Sequence, residues 1–185
     1  LRPETTVFRT LRYFWQRDSE GRALLALLCA YGRDPLLRTS APYVLDLHEG
    51  QPFSRALLEA HLEEQYPGRF SKATLRSTSQ NLASSWTQSG HLAGRVKKVR
   101  TAVTATAGVT AYALLLGFLA GARGEGLFTT EYARLLDCTT ERAMELAGIS
   151  SGKGWLTFKR IGQVVEVLFP VLITERAMEW IREQS

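Results

Sequence analysis

The sequence predicts a mainly α protein, a helical bundle containing a winged helix-turn-helix with a small β-hairpin wing. Apolar residues recur at helical spacing through most of the 185 residues. A short helix, a tight turn and a longer helix follow one another from Ser54 to about Thr87. A β-prone basic stretch, HLAGRVKKVRTAV, comes directly after them. The division expected from these signals is an N-terminal helical segment (1–53), the winged helix (54–104) and a C-terminal helical lobe (105–185). A composition of 45% hydrophobic and 22% charged residues is that of a globular chain with one compact core or two small lobes.

Each element has its own local reason. Residues 5–16 place Val7, Leu11, Phe14 and Trp15 near helical spacing, with the aromatics assigned to the core. Residues 20–31 form a strongly apolar helix with Leu24, Leu27, Leu28 and Tyr31 on one stripe. Asp34-Pro35 and Ser40 before Pro42 are helix-start signals, so 34–48 reads as one or two short helices before a turn at Gly50-Gln51-Pro52. Ser54 is placed to cap SRALLEAHLEEQY, whose Leu57, Leu58, His61 and Leu62 are assigned to the buried side. Pro67-Gly68 ends that helix, and Ser71 caps the next one, which Gly90 closes.

The later chain reads as helical with one break. Residues 101–122 carry no charge, a length that could span a bilayer, but they are rich in Ala, Thr and Gly. The expectation is a wing end followed by a buried central helix over about 109–122, and no membrane span. Thr129 is assigned as the cap of TEYARLLD and Thr139 or Thr140 as that of ERAMELA, with Gly148 closing the latter helix. Trp155 to Phe158 reads as a short strand, and Ile161, Val164, Val165 and Leu168 as a helical stripe that Pro170 interrupts. Thr174 is assigned as the cap of a last helix, ERAMEWIREQ.

Charge distribution directs attention to the middle of the chain. The net charge is +5, yet from Glu64 to Glu125 there are sixty residues without an acid, holding eight of the 23 Lys and Arg residues. The other 15 face all 18 acids and leave the rest of the chain at −3. One region is therefore an electropositive footprint. Within it, a helix from Ser71 to about Thr87 places Leu75, Ser79, Leu82 and Trp86 on one stripe, with Arg76, Ser77, Gln80, Ser84 and Thr87 opposite and Asn81 beside them. Arg can pair with guanine and Gln or Asn with adenine, while small hydroxyls reach phosphates. The expected partner is double-stranded DNA. Arg69, Ser71 and Lys72 stand at the helix entrance, and Arg95, Lys97, Lys98 and Arg100 in the wing are placed to reach flanking phosphates or the minor groove. The alternative is a protein-interaction scaffold whose basic winged helix docks on an acidic partner protein.

Catalytic signatures are missing from the sequence. Three scattered histidines and two isolated cysteines give no zinc spacing, no nucleophile elbow occurs, and SSGKG departs from a phosphate loop because Gly154 follows Lys153. No enzymatic activity and no cofactor are expected. Cys29 and Cys138, far apart and without a signal-like N-terminus, read as free thiols in a reducing compartment, so a cytoplasmic location is expected. The stretches SKATLRSTSQNLASSWTQSGHL, TAYALLLGFLAGARG and FTTEYARLLDCTTERAMELAG together resemble the BrxA family, small accessory proteins of bacterial BREX phage-defence systems. The resemblance covers most of the chain and departs from the family in the N-terminal half. It implies a mainly helical, non-enzymatic DNA-binding protein that works with other defence-system proteins.

Overall fold

In the computed structural model the chain is mainly helical, with small antiparallel hairpins. The structure describes residues 3–162, 164–173 and 179. Two compact units form, Leu1–Cys29 with Thr104–Ser185, and Ala30–Val103. The first break falls after Cys29 rather than at 53, because the helix over 35–45 packs with the two helices that follow it, while the second, after Val103, is within one residue of the 104 expected.

The first unit contains helices α1 (Pro3–Arg17) and α2 (Arg22–Tyr31). On α1 the buried stripe is Thr6, Thr10 and Phe14, a spacing of four that turns Trp15 outward, where it is 42% exposed under the guanidinium of Arg22. Trp15 is thus a surface residue, against its assignment to the core. The four residues of the α2 stripe are all buried as expected.

The center of this unit is the uncharged helix, numbered α6 (Ala107–Leu119) after the second unit's elements below, whose residues Ala107–Phe118 are all buried. No described helix is long and apolar enough to cross a membrane. Thr106 caps α6, and its hydroxyl donates to Asp18, whose other carboxylate oxygen accepts from the Gly21 amide at 3.1 Å. One buried carboxylate therefore holds both the turn before α2 and the start of α6.

A 3-10 helix (Gly124–Thr129), a short α7 (Glu131–Arg134) and α8 (Thr140–Gly152) follow. Thr130, not Thr129, caps α7, because the 3-10 turn consumes Thr129. Thr139 caps α8, which continues past Gly148 to Gly152, where Ser150 donates to the Ala107 carbonyl at 2.6 Å. The stripe from Ile161 to Leu168 is not helical. It forms the hairpin of β3 (Thr157–Ile161) and β4 (Val164–Leu168), in which Val165 and Val167 are buried and Val164, Glu166 and Leu168 are exposed. Alternating burial, β-branched valines and Gly162 at φ 60 select the strand. Of the expected last helix only Glu179 is among the described residues, where it is helical, and the rest, with its cap at Thr174, lies outside them.

The second unit runs α3 (Pro35–Leu45), α4 (Arg55–Gln65), α5 (Lys72–Gln88), β1 (Leu92–Ala93) and β2 (Val99–Arg100). A single helix, α3, occupies the span read as one or two. Asp34 caps it, and Pro42 sits within it without ending it. Ser54 caps α4 and Ser71 caps α5, as expected. On α4 Leu58 and Leu62 are buried and His61 is half-buried, but Leu57 is 60% exposed because it lies a residue before the buried row. Between α4 and α5, Glu63 accepts from the Gly68 amide at 2.9 Å and fixes the turn. Trp86 of α5 is fully buried and donates to Ser40 of α3 at 2.8 Å, so one polar contact sets how the two helices meet. The strands pair Leu92 with Arg100 and Ala93 with Val99. Residues 50–53 add an extended edge on the other side of β2, bonding Gly50 to Arg100 and Phe53 to Lys98.

Candidate nucleic-acid interface

Helix α5 presents two faces, with Leu75 and Thr87 half-buried at their margins, where Thr87 donates to the Ala83 carbonyl and accepts from Lys98. Ser79, Leu82, Ala83 and Trp86 are buried, whereas Arg76, Ser77, Gln80, Asn81 and Ser84 are exposed. Packing of the first group against the unit's core leaves the second no choice of direction. Among the described residues, the side chains of Arg76, Gln80 and Ser84 make no hydrogen bond, which leaves a bidentate guanidinium, an amide and a hydroxyl on one surface. Ser77 donates back to the Thr74 carbonyl at 3.0 Å and keeps its acceptor lone pairs outward.

At the entrance of the helix the roles divide. Ser71 accepts from the Thr74 amide at 3.2 Å and also bonds the Thr74 hydroxyl, so its side chain is chiefly a cap. Lys72 is exposed in the first turn. Arg69 is exposed and lies over the rings of Tyr66 and Phe70, with centroids 5.2 and 5.6 Å away, which orients the guanidinium along the turn.

The hairpin after α5 exposes Arg95, Val96 and Lys97 at its tip. Gly94 makes the turn at φ 106, and a Cβ there would fall on the carbonyl of Lys97, so glycine is required. Lys98 is half-buried, and its ammonium donates to Thr87 of α5 at 2.8 Å and to the Gly94 carbonyl at 3.2 Å. That contact pins the hairpin to α5. Arg100 departs from the sequence reading: it is buried, and its guanidinium donates to the carbonyls of Thr101 and, at 3.4 Å, His91. Its side chain therefore lies in the interior of the unit, apart from the exposed cations of the hairpin tip.

Between the hairpin and α5 lies a recess of about 490 Å³ whose lining includes Arg55, Gln80, Ser84, Arg95 and Lys98. Arg55, with Phe53 beside it, is a member that sequence reasoning left out. A signal for it existed, because Arg55 is the first residue of α4, where the helix dipole disfavours a cation and no acid stands in the first turn. The structure thus brings Gln80, Ser84, Arg95 and Lys98 around one concavity and leaves Arg76 and Lys97 on open surface. Compared with known protein families, curated proteins and solved structures, the chain finds no match.

Proposed function

We propose that residues 30–103 are a winged helix-turn-helix that binds double-stranded DNA, and that the chain is a non-enzymatic accessory protein of a bacterial phage-defence system of the BREX kind. The element order supports the fold reading: a helix, an extended edge at 50–53, two helices joined by a tight turn, and a hairpin. α5 is then the recognition helix and residues 94–98 the wing. The observation that carries the DNA reading is the outer face of α5, where Arg76, Gln80, Asn81 and Ser84 stand exposed without a carboxylate, beside the exposed cations Arg95 and Lys97. Arg76 and Gln80 would meet base edges in the major groove, while wing cations meet phosphates. The place in a defence system rests on the sequence resemblance.

The test is fluorescence anisotropy with two unrelated labelled duplexes over a range of salt. Wild type is expected to bind both, with affinity falling linearly on a log-log plot against salt. Arg76→Ala with Gln80→Ala should weaken binding by about 1–3 kcal/mol per lost base contact while leaving the thermal midpoint in place. A chain that ignores both duplexes but binds an acidic protein from its own gene neighbourhood would replace this reading with the scaffold one.

A further inference from the structure

We infer that the recess between the wing and α5 is an oxyanion site that holds one phosphodiester of the bound duplex; this rests on the DNA reading above. Three cations reach it from separate segments: Arg55 opens α4, Arg95 is at the wing tip and Lys98 is at the wing's base. Gln80 and Ser84 of α5 add neutral hydrogen-bonding groups, and Phe53 adds an apolar wall. The lining contains no carboxylate. Glu59 already pairs with Arg55, whereas Arg95 and Lys98 meet no carboxylate among the described residues, so an entering anion relieves chiefly the repulsion that those two cations bring to the concavity.

The donors available match that occupant. The Nε of Arg55 lies 3.1 Å from Glu59, which leaves the two terminal amino groups of the guanidinium to donate elsewhere. Lys98 has three N–H groups, and two of them meet Thr87 and Gly94. Among the described residues Arg95 has no carboxylate partner. A phosphoryl group accepts several charge-assisted hydrogen bonds at once, which a carboxylate-free site of this kind favours. Its position follows as well. A phosphate held between wing and α5 fixes how deep the helix enters the groove, because phosphate contacts set register without reading bases.

The experiment uses the full chain and two probes, pyrophosphate followed by amide NMR and the two duplexes followed by anisotropy. Pyrophosphate should shift the amides of residues 53–57 and 94–98 saturably in wild type, and Arg55→Gln or Arg95→Gln should raise its dissociation constant about tenfold, the loss expected for one charged hydrogen bond. Lys97→Gln, outside the recess, serves as the control and should change nothing in that titration. Arg55→Gln should also lower the salt slope by about 0.9 on both duplexes alike. Weakening of pyrophosphate binding by Lys97→Gln equal to that by Arg55→Gln would reduce the recess to diffuse basic surface and overturn the inference. Duplex binding with an unchanged slope in Arg55→Gln removes the phosphodiester while the DNA reading stands. If wild type takes pyrophosphate and no duplex, the DNA reading fails, and the recess belongs to a free phosphorylated small molecule instead.

Discussion

Arg100 and Lys97 sit three residues apart in a basic run, yet the structure separates their consequences. Replacing Arg100 by Met keeps most of the side-chain volume and removes the donors that serve the Thr101 and His91 carbonyls. A hydrogen bond from a charged group contributes about 1.5–3 kcal/mol net, and the His91 contact is at the long limit of the range, so a loss of about 2–4 kcal/mol is expected for the pair. With a urea dependence of about 2–3 kcal/mol per molar for a chain of this size, the unfolding midpoint should fall by roughly 1 M. The DNA salt slope of the folded variant should remain that of wild type. Lys97→Gln should behave in the opposite way, leaving the urea midpoint unchanged and lowering the slope by about 0.9. Urea unfolding followed by circular dichroism, beside anisotropy at several salt concentrations, reads both axes. An Arg100→Met protein with a wild-type midpoint and a reduced slope would place that guanidinium on the DNA and refute the assignment.

Three further outcomes concern the scaffold. Trp86→Ala removes a fully buried indole and its bond to Ser40, and calorimetry should show a loss of about 3–5 kcal/mol. Gly108→Ala would put a methyl group 2.9 Å from the Asp18 Cβ, so the thermal midpoint should drop by an amount equivalent to about 1–3 kcal/mol; an unchanged midpoint would mean the buried carboxylate yields freely. Burial pushes the Tyr112 hydroxyl well above its usual pKa, with Cys29 adding to the shift. Its contribution is fully present below the unfolded-state value near 10, and stability should fall as pH rises beyond that by up to about 1.4 kcal/mol per pH unit, a slope that Tyr112→Phe removes in alkaline unfolding titrations.

The parts of the fold that the sequence discloses are those decided within one turn of chain. Asp34, Ser54, Ser71 and Thr139 each accept from an amide two or three residues on, so the first three caps could be read directly and the fourth was narrowed to Thr139 or Thr140. Helix α6 was legible for a similar reason, since a run that is apolar all round is satisfied only by burial on every side. The hairpin over 157–168 was not, because Ile161, Val164, Val165 and Leu168 satisfy a helical period as readily as they sit on two strands. Partners elsewhere in the unit settled it, with Val165 and Val167 going inward as alternate residues.

The candidate site divides along the same line. The outer face of α5 follows from helical geometry and an anchored Trp86, both local facts, whereas the fate of Arg100 depends on a segment forty-nine residues earlier that bonds to the far edge of β2. Arg55 shows that a cation in the wrong place can itself be informative. Helices α7 and α8 of the first unit carry Glu131 and Glu141 in their first turns, as the helix dipole favours. Helices α4 and α5 begin instead with Arg55 and Lys72 and have no acid in the first turn. Each reversal costs about 0.3–1 kcal/mol of helix stability, which on α4 the ion pair of Arg55 with Glu59 partly offsets. Helix α2 begins with Arg22 and likewise has no acid in its first turn, so a cationic first turn marks the proposed interface only where, as at Arg55, the same cation also lines the recess beside α5.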